Sequence, residues 1–387
     1  MDLAFSESEL EFAIEVRTWL DDNVELPPEF GTFDELIGWG RAWQAKLAAD
    51  RWIGIHWPAE YGGRGASPIQ VAIFNMEYAR SRAMQPVNRS GINLAGPTLL
   101  AHGTEEQKLR WLPKILSAEE IWCQLFSEPG AGSDLAALST RADPVEGGWL
   151  LSGQKVWTSY AQHSRWGICL ARTDKELPKH KGISYLVVDM EADGIEIRPL
   201  RQITGDAEFN EVFFDECFVP SDYLVGGLNQ GWAVANTTLA HERGTAFPFK
   251  EQVVHEVHLD ELYAMALRHG TLDVPEISDA LAQSFVELRI LRLHNWRTLS
   301  RLARGIEPGP ESSWVKLSWS NMSQALSEHA LDVVGEAAPL WGRAEGNPTA
   351  GKWQYQWLWS KSGSIAGGTT EVQKNIIAER ILGLPRG

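Results

Sequence analysis

Cysteine is scarce in this chain of 387 residues. The three thiols, Cys123, Cys169 and Cys217, are far apart, and each lies in an apolar stretch. Their odd number and wide spacing argue against a disulfide framework and against a metal site built from closely spaced cysteines. We therefore expect three small core residues and no bound metal.

Positive charge and long apolar runs are also in short supply. Lys and Arg total 35 against 51 Asp and Glu, which gives a formal net charge of −16. This balance argues against a nucleic-acid partner, and it means that an anionic ligand must be held by local geometry. Nowhere do eighteen apolar residues follow one another, and the N-terminus lacks the basic segment of a secretion signal. The sequence predicts a cytoplasmic protein without a membrane span.

The period of the apolar residues divides the chain into three zones. Up to about residue 118 the spacing is helical. From about 119 to 225 short segments rich in aromatic and β-branched residues alternate with turn residues, which indicates an antiparallel barrel or sandwich. The helical period then returns, with breaks at 269–275 and 305–313. We therefore predict a helical domain, a β domain and a helical bundle.

Two segments of the middle zone carry residue types suited to a cofactor. In "SEPGAGSD" (127–134) a turn with free backbone N–H groups can receive polar edges of a cofactor or an anion. In "GQKVWTS" (153–159) Trp157 stands beside two hydroxyls, so the indole can lie against a planar ring while an oxygen meets a ring nitrogen. Taken alone, each pattern is explained as well by a tight turn or a core tryptophan.

A third segment, "IAGGTTEVQ" (365–373), places two glycines before the last helix. Gly367 and Gly368 lack β-carbons, which permits positive φ angles or the close approach of another group. Thr370 and Gln373 have the spacing of a capping box. On these residues alone, a loop that ends in a helix cap is the simpler interpretation.

Seven segments together resemble, in order, the successive signatures of the acyl-CoA dehydrogenase family, and they span nearly the whole chain. They are "WPAEYGGRG" (57–65), "GTEEQKLRWLPKI" (103–115), "SEPGAGSD" (127–134), "GQKVWTS" (153–159), "FNEVFFDECFVP" (209–220), "NQGW" (229–232) and "GGTTEVQKNIIAERILG" (367–383). The resemblance implies an α + β fold with FAD bound between barrel and bundle. Its parts would be an N-terminal helical domain (1–118), a middle β-barrel (119–225) and a C-terminal four-helix bundle (226–387).

The resemblance also assigns the loop after the first strand to the cofactor and substrate. The backbone of Phe126 and Ser127 would contact the edge of the flavin ring. Ser133, in the turn with Gly132, would face the phosphate and pantetheine region.

Four further residues complete the implied FAD contacts. Trp157 would lie against the flavin, and Ser159 would form a hydrogen bond near its N5 atom. Thr369 and Glu371 would contact the phosphates and the ribityl side. The double glycine at the start of this motif would let an acyl thioester lie against bare backbone.

The reaction implied by the family needs a carboxylate that removes an α-proton, donors for the thioester oxygen, and a flavin N5 that takes hydride from the β-carbon. Many members carry the carboxylate immediately before "GT", where this chain has Gly367. Glu242, followed by Arg243, resembles the Glu-Arg pair that another branch uses from a different helix. No cation stands at helical spacing from Glu242, so we expect a half-buried carboxylate that acts as the base.

Two FAD-binding signatures of homo-oligomeric members are absent. The position of Arg-x-x-Phe-Gly reads "YAMALRHGTLDVPEI", and that of Gly-Gly-x-Gly reads "VVGEAAPLW". In the family these residues come from a neighbouring subunit and hold the adenine end of FAD. Arg268 and Lys316 are candidate replacements. We predict a homo-oligomer, with an assembly of two different chains as the alternative, as in bacterial members that act on bulky groups such as steroid side chains.

The predicted activity is FAD-dependent oxidation of an acyl-CoA to a trans-2-enoyl-CoA, with a branched or bulky acyl group as the expected substrate. Electrons would pass to electron-transfer flavoprotein or a similar acceptor. One alternative is a flavin monooxygenase or oxidase on the same fold. Another is a partner subunit that only completes the FAD site of a different chain.

Overall fold

The computed structural model describes residues 5–28, 30, 32–242, 246–306, 309–342 and 349–385, without the side chains of residues 241, 242 and 246–248. Within these residues the α-helices are α1 (Glu7–Asn23), α2 (Phe33–Ala49), α3 (Pro68–Arg80), α4 (Gly96–His102), α5 (Glu105–Ser117), α6 (Gly231–Glu242), α7 (Ala246–His269), α8 (Pro275–Leu302), α9 (Glu311–Val334), α10 (Lys352–Ser360) and α11 (Thr370–Ile376). The strands are β1 (Trp122–Leu125), β2 (Arg141–Val145), β3 (Gly148–Ser159), β4 (Trp166–Arg172), β5 (Ile183–Asp189), β6 (Ile195–Leu200), β7 (Phe209–Pro220) and β8 (Leu224–Val225).

The first and fifth helices show how local sequence sets the helix starts. Helix α5 begins at a capping box, in which the Gln107 N–H donates to Thr104 Oγ1 and the Thr104 N–H donates to Gln107 Oε1. In α1 the buried face consists of Phe12, Ala13, Val16 and Leu20. Leu10, which helical spacing would also place on that face, is 51% exposed. One turn from the helix start, it lies outside the packed stripe.

The strands form one sheet with the order β6-β7-β3-β2-β4-β5-β8, and β1 pairs with β4. The pairs are antiparallel except β1–β4 and the short β2–β4 contact, which are parallel. The sheet core is apolar and includes all three thiols, so the prediction of core cysteines is confirmed. Its buried members are Cys123, Leu125, Ala142, Leu151, Ala161, Cys169, Ala171, Leu186, Val188, Met190, Val212, Phe214, Cys217 and Val219.

A second apolar core lies between the helices that follow the sheet. It is formed by α7, α8 and α9 together with Trp353 of α10, and its most buried members include Leu262, Leu291 and Ala330. The interruptions between these helices agree with the predicted ones at 269–275 and 305–313, because α7 ends at His269 and α9 begins at Glu311.

The internal contacts of the chain divide it into two compact units. One combines the residues up to 25, residues 67–83 and the chain from 243 onward; the other combines 26–66 and 84–242. The division into domains 1–118, 119–225 and 226–387 stays a prediction.

Among the described residues, no helix has both the length and the apolar character needed to cross a bilayer.

Helix α6, which ends at Glu242, is held tightly against the sheet. At Gly231, the glycine of "NQGW", a β-carbon would lie 2.5 Å from the backbone carbon of Ser184 in β5, so no side chain fits there. Further along the helix, Thr238 is fully buried and its hydroxyl lies 2.8 Å from that of Thr98 in α4. These contacts fix the course of the helix that leads to the predicted base.

Candidate functional site

Lys155 anchors the loop that follows β1. Its side chain is completely buried in the sheet. Its Nζ donates to the carbonyl oxygens of Phe126, at 3.1 Å, and Leu170, at 2.8 Å, and to Glu128 Oε1, at 2.8 Å. The ammonium group therefore ties the start of the predicted cofactor loop to strand β3, on which Trp157 also lies.

Glu128 completes this buried pair from the loop side. Its carboxylate accepts the Ser139 N–H at 2.6 Å, the Ser139 hydroxyl at 2.8 Å and the Thr140 N–H at 2.9 Å. Burial alone would raise the pKa of Glu128, but the charge of Lys155 and the hydrogen bonds from Lys155, Thr140 and Ser139 outweigh it and lower the pKa to about 2. The carboxylate is therefore ionised at neutral pH, and the pair carries no net charge.

The turn of "SEPGAGSD" uses part of its own backbone. The Glu128 N–H donates to the Ala131 carbonyl at 3.1 Å, and the Ala131 N–H donates back to the Glu128 carbonyl at 3.0 Å. The expectation of a turn with free N–H groups is therefore wrong for these two residues, because they close the turn on itself. Gly132 and Ser133 follow it in exposed positions.

Trp157 stands out in strand β3. Its indole is 61% exposed, and its φ angle of +61° lies in the left-handed region, which costs a residue with a β-carbon about 1–2 kcal/mol. The register between β3 and β7 shifts between Lys155 and Thr158, so Trp157 lies in a β-bulge. Backbone strain of this kind persists where the surrounding structure enforces it, and it clusters at ligand sites.

Two neighbours of Trp157 offer polar atoms. The hydroxyl oxygen of Thr158 is buried and has no hydrogen-bond partner among the described residues. Ser159 is half-buried next to it and pairs with Phe209 of β7. The Val156 N–H donates to the Ser127 carbonyl at 2.9 Å, so the loop after β1 runs beside this segment. The structure thus places the loop residues Phe126 and Ser127 beside the segment of β3 that carries Trp157 and Ser159.

The double glycine forms a turn ahead of α11. Gly367 has a φ angle of +65° and Gly368 one of +92°, which glycine adopts readily. The helix cap is Thr369, whose hydroxyl accepts the Val372 N–H at 3.3 Å. The predicted capping box at Thr370 is therefore wrong by one residue, because the side chain of Gln373 bonds back to the glycine carbonyls.

The two residues assigned to the phosphate and ribityl side lie in this same segment. Thr369 is half-buried as the cap, and Glu371 is exposed in the first turn of α11. Their roles toward FAD stay predictions.

The side chain of Glu242 and all of Arg243 lie outside the described residues. Arg268 is exposed on α7. Lys316 is engaged inside its own unit, where its Nζ donates to the carbonyls of Gly363, at 2.7 Å, and Gly368, at 2.8 Å.

The Lys155–Glu128 pair was missed from the sequence, although a signal was present. On a strand, Lys155 shares the face of Leu151, four residues earlier, and both side chains are buried. A lysine on the inward face of a strand needs a partner, and Glu128 stands just after the preceding apolar strand. Alternation and pairing together would have identified the anchor.

A cavity of about 100 Å³ lies within the helical bundle. His255, His258, Trp319 and Trp353 border it, and the rings of His258 and Trp353 are 5.4 Å apart. Burial, assisted by the nearby His255 and Lys352, lowers the pKa of His258 to about 3. This imidazole is therefore neutral at physiological pH.

Family models match the chain along nearly its whole length. Residues 6–119 match the N-terminal domain of acyl-CoA dehydrogenases, 123–217 the middle domain and 229–382 the C-terminal domain. The chain belongs to the acyl-CoA dehydrogenase family. The α + β fold implied by the sequence motifs is thereby confirmed.

Relatives and solved structures of this family align with the full chain. Acyl-CoA dehydrogenase IpdE1 of Mycobacterium tuberculosis is 42% identical over 385 residues, which cover 97% of this chain and 98% of that protein. The structure of the Tcur3481-Tcur3483 steroid ACAD superposes with a TM-score of 0.88 at 29% identity and covers 100% of both chains. The ChsE4-ChsE5 complex from Mycobacterium tuberculosis gives a TM-score of 0.86 at 29% identity, again over 100% of both chains.

Membership of this family makes the chain an FAD-dependent oxidoreductase that dehydrogenates acyl-CoA thioesters. The barrel residues fit such a cofactor. An exposed indole held in a strained conformation offers a flat surface for a ring system. Beside it, the buried Thr158 hydroxyl lacks a partner among the described residues, and a bound ring could supply one.

Proposed function

We propose that this acyl-CoA dehydrogenase oxidises a branched or bulky acyl-CoA to its trans-2-enoyl-CoA and passes the electrons to electron-transfer flavoprotein or a similar acceptor. The observation that carries the proposal is Trp157, an exposed indole held at a left-handed φ angle beside the Lys155-anchored loop. Side chains that serve only packing are seldom exposed and strained at once.

The residues of the chain would divide the work as follows. FAD supplies the flavin N5 that accepts hydride from the β-carbon. Trp157 would pack against the flavin ring, while the hydroxyls of Thr158 and Ser159 would meet its polar edge. Glu242 would accept the α-proton on a carboxylate oxygen, with Arg243 beside it in sequence. The backbone of Phe126 and Ser127 would contact the ring edge, and Ser133, next to Gly132, would face the pantetheine.

The preference for bulky groups rests on Gly367 and on the relatives. Glycine at the position where many family members carry the base removes a side chain near the α-carbon, which leaves room for a branch or a ring. One similar structure is a steroid ACAD. Straight butyryl- or octanoyl-CoA should therefore be poorer substrates than branched or cyclic acyl-CoAs.

Assembly is proposed from exposed apolar side chains of the helical bundle. Four large side chains on α8 are each 46–49% exposed, Phe285, Val286, Ile290 and Leu293, and Leu267 on α7 is 62% exposed. Apolar side chains exposed in this number favour a protein partner. One similar structure is a complex of two chains, ChsE4 and ChsE5. We favour a homo-oligomer for this chain, and a heteromer would explain the missing adenine-binding signatures.

The test is anaerobic mixing of the purified flavoprotein with a panel of straight, branched and cyclic acyl-CoAs, with bleaching of the flavin as the signal. Reduction by an acyl-CoA without oxygen supports the dehydrogenase. A flavin that stays oxidised with every acyl-CoA, but supports oxygen-dependent turnover, indicates the monooxygenase or oxidase. A panel in which straight chains react fastest would disprove the preference for bulky groups.

The base is tested with Glu242→Gln, which keeps the shape of the side chain but cannot take a proton. We expect the mutant to bind FAD and to lose about 10²–10⁴-fold in the rate of flavin reduction, the usual contribution of a positioned general base. Gly367→Glu in the same background offers a carboxylate at the commoner family position and should restore part of the rate. Reduction of the Glu242→Gln variant at the wild-type rate removes Glu242 from the mechanism.

Flavin content decides the assembly. One FAD per chain in the pure protein supports a self-sufficient homo-oligomer. A ratio far below one that rises on co-expression with a related subunit supports the heteromer, and a chain that never binds flavin would be a partner subunit only.

A further inference from the structure

Several polar atoms that border the cavity of the helical bundle lack a partner among the described residues. His255 donates from Nδ1 to the Glu251 carbonyl at 2.6 Å, because a carbonyl oxygen can only accept, so its Nε2 atom is left as an acceptor. Neither this atom, nor either ring nitrogen of His258, nor the Ser323 hydroxyl bonds to another described residue. Buried polar atoms of this kind need a partner from outside the chain.

The size of the cavity sets what that partner is. At about 100 Å³ it is smaller than the cavities of about 150 Å³ that take up benzene, so it has room for part of a ring. The ring of Trp353 lies 5.4 Å from that of His258, which gives the cavity a flat apolar wall beside its polar atoms. A ring edge with one polar atom matches this combination.

The charged groups that act on the cavity are already paired. Glu251, which borders it, lies 3.4 Å from the Nζ atom of Lys250. Glu261 forms ion pairs with Arg82, at 3.0 Å, and with Lys352. An ionic group that entered would find no unpaired counter-charge among these groups, and it would lose its hydration. An uncharged oxygen fits better, because a neutral imidazole can both donate to it and accept from it.

The cavity borders the segment that leads into the turn at Gly367. Gly363 lines it, and the carbonyls of Gly363 and Gly368 accept from the same Lys316 ammonium, at 2.7 Å and 2.8 Å. Two oxygens that share one donor nitrogen cannot lie farther apart than the two hydrogen-bond lengths together. The wall of the cavity and the turn are therefore neighbours, and all of these residues belong to the compact unit that contains the chain from 243 onward.

We propose that this cavity is a subsite for the far end of the acyl group, and that it selects acyl groups that carry a hydroxyl or a ketone at that end. The inference rests on the proposed function, in which the α-carbon lies near Gly367. It narrows the substrate class from bulky acyl-CoAs to oxygenated ones. His258 and Ser323 would bond to the oxygen, while Trp353 would cover the ring that carries it.

The test compares two propanoyl-CoA thioesters that carry a cyclohexyl ring on the β-carbon, one of them with a ketone at the ring carbon opposite the attachment. Stopped-flow reduction of the flavin in the holoenzyme, at varied substrate, gives the limiting rate divided by the dissociation constant for each compound. We expect the ketone to be favoured about tenfold, as one hydrogen bond in a closed site allows. Equal values for the two compounds would overturn the subsite.

His258→Phe removes both ring nitrogens and keeps a ring of similar size. It should bring the preference close to one by weakening the reaction of the ketone alone. His258→Gln keeps a donor and an acceptor and should retain part of the preference. His269→Phe is the matched control, because His269 is exposed at the end of the same helix. Ser323→Ala gives a second reading if His258→Phe does not fold, and a preference that survives in every cavity variant contradicts the proposal.

Filling the cavity tests its link to the acyl group. Ser323→Leu places a larger side chain in the space, so the rate with both ring compounds should fall about tenfold. Butyryl-CoA, which is too short to reach the cavity, should keep its wild-type rate. Equal effects on ring compounds and butyryl-CoA, or no effect on either, would separate the cavity from the acyl site and refute the inference.

A binding measurement separates this inference from the proposed function. Titration calorimetry of the oxidised holoenzyme with the two trans-2-enoyl-CoA products involves no turnover, and the keto product should bind about tenfold more tightly to wild type but not to His258→Phe. If this difference appears while no acyl-CoA reduces the flavin, the proposed function fails and the subsite stands. If the flavin is reduced but neither binding nor reduction distinguishes the ketone, the subsite fails and the proposed function stands.

Discussion

Two lysines hold loop carbonyls in different regions of this molecule. Lys155 of the sheet is completely buried and combines two carbonyls with the carboxylate of Glu128. Lys316 of the bundle is half-buried and holds the carbonyls of Gly363 and Gly368. A fully buried charge is costly unless it is neutralised, whereas a half-buried ammonium keeps part of its hydration. We therefore expect the first lysine to dominate stability and the second to act mainly on geometry.

Lys155→Met should lower the free energy of unfolding more than any other variant in this comparison. Removing the ammonium leaves the Glu128 carboxylate buried without its partner, which typically costs about 3–5 kcal/mol. Urea denaturation should show this loss, and Lys155→Met combined with Glu128→Gln should recover part of it. A loss similar to that of Lys316→Met would refute the distinction between the two lysines.

The sheet and the helical bundle should lose stability at different pH values in acid. The pKa of Glu128 is about 2 when folded and near 4.5 when unfolded, so its stabilising contribution is complete above pH 4.5 and is lost as the pH falls toward 2. The pKa of His258 is about 3 in the folded protein and 6.5 when unfolded. The unfolded state therefore takes up the proton first, and the folded state loses stability as the pH falls below 6.5. Hydrogen exchange measured region by region should show the bundle weakening at higher pH than the sheet.

His258→Phe is the control for this pH dependence. It removes the group that must become charged, so the early weakening of the bundle should diminish while the response of the sheet stays the same. A bundle that weakens equally in the variant would show that other groups cause the effect.

The smallest effect should come from Trp157→Ala. Because the indole is 61% exposed, the free energy of unfolding of the FAD-free protein should change by no more than about 0.5 kcal/mol. The affinity for FAD should fall by about 0.5–1.5 kcal/mol through lost ring contacts. Trp314→Ala, which removes an indole that is 48% exposed on helix α9, should leave FAD binding unchanged. Equal effects of both variants would remove Trp157 from the cofactor site.

Sequence patterns predicted the elements well where a single period or a complete local signal was present. The β segments of the middle zone, such as the strand that contains "GQKVWTS", belong to this group. The last helix cap was misplaced because Thr369 and Thr370 are chemically equivalent caps, and the direction of the Gln373 side chain, which bonds back to Gly367 and Gly368, decides between them.

The sequence predicts which residues belong to the candidate site, but it does not predict the tertiary contacts that hold them in place. The motif assigned Trp157 to the cofactor, but its left-handed conformation depends on a bulge that the partner strand β7 imposes. The contact of Lys316 with the Gly368 carbonyl forms because α9 lies beside a turn about fifty residues later in the chain. No local pattern encodes this contact. Tertiary contacts of this kind decide which candidate cations are already engaged.

The reactivity of the three thiols reports how often the sheet opens. Burial raises the pKa of Cys123 and Cys169 to about 12 and that of Cys217 to about 11. Thiolates are the reactive form, so alkylation at neutral pH must wait until the sheet opens. All three cysteines of the chain lie in the sheet core. The rate of alkylation of the unmodified protein therefore counts openings of the sheet alone, while the bundle contributes no signal.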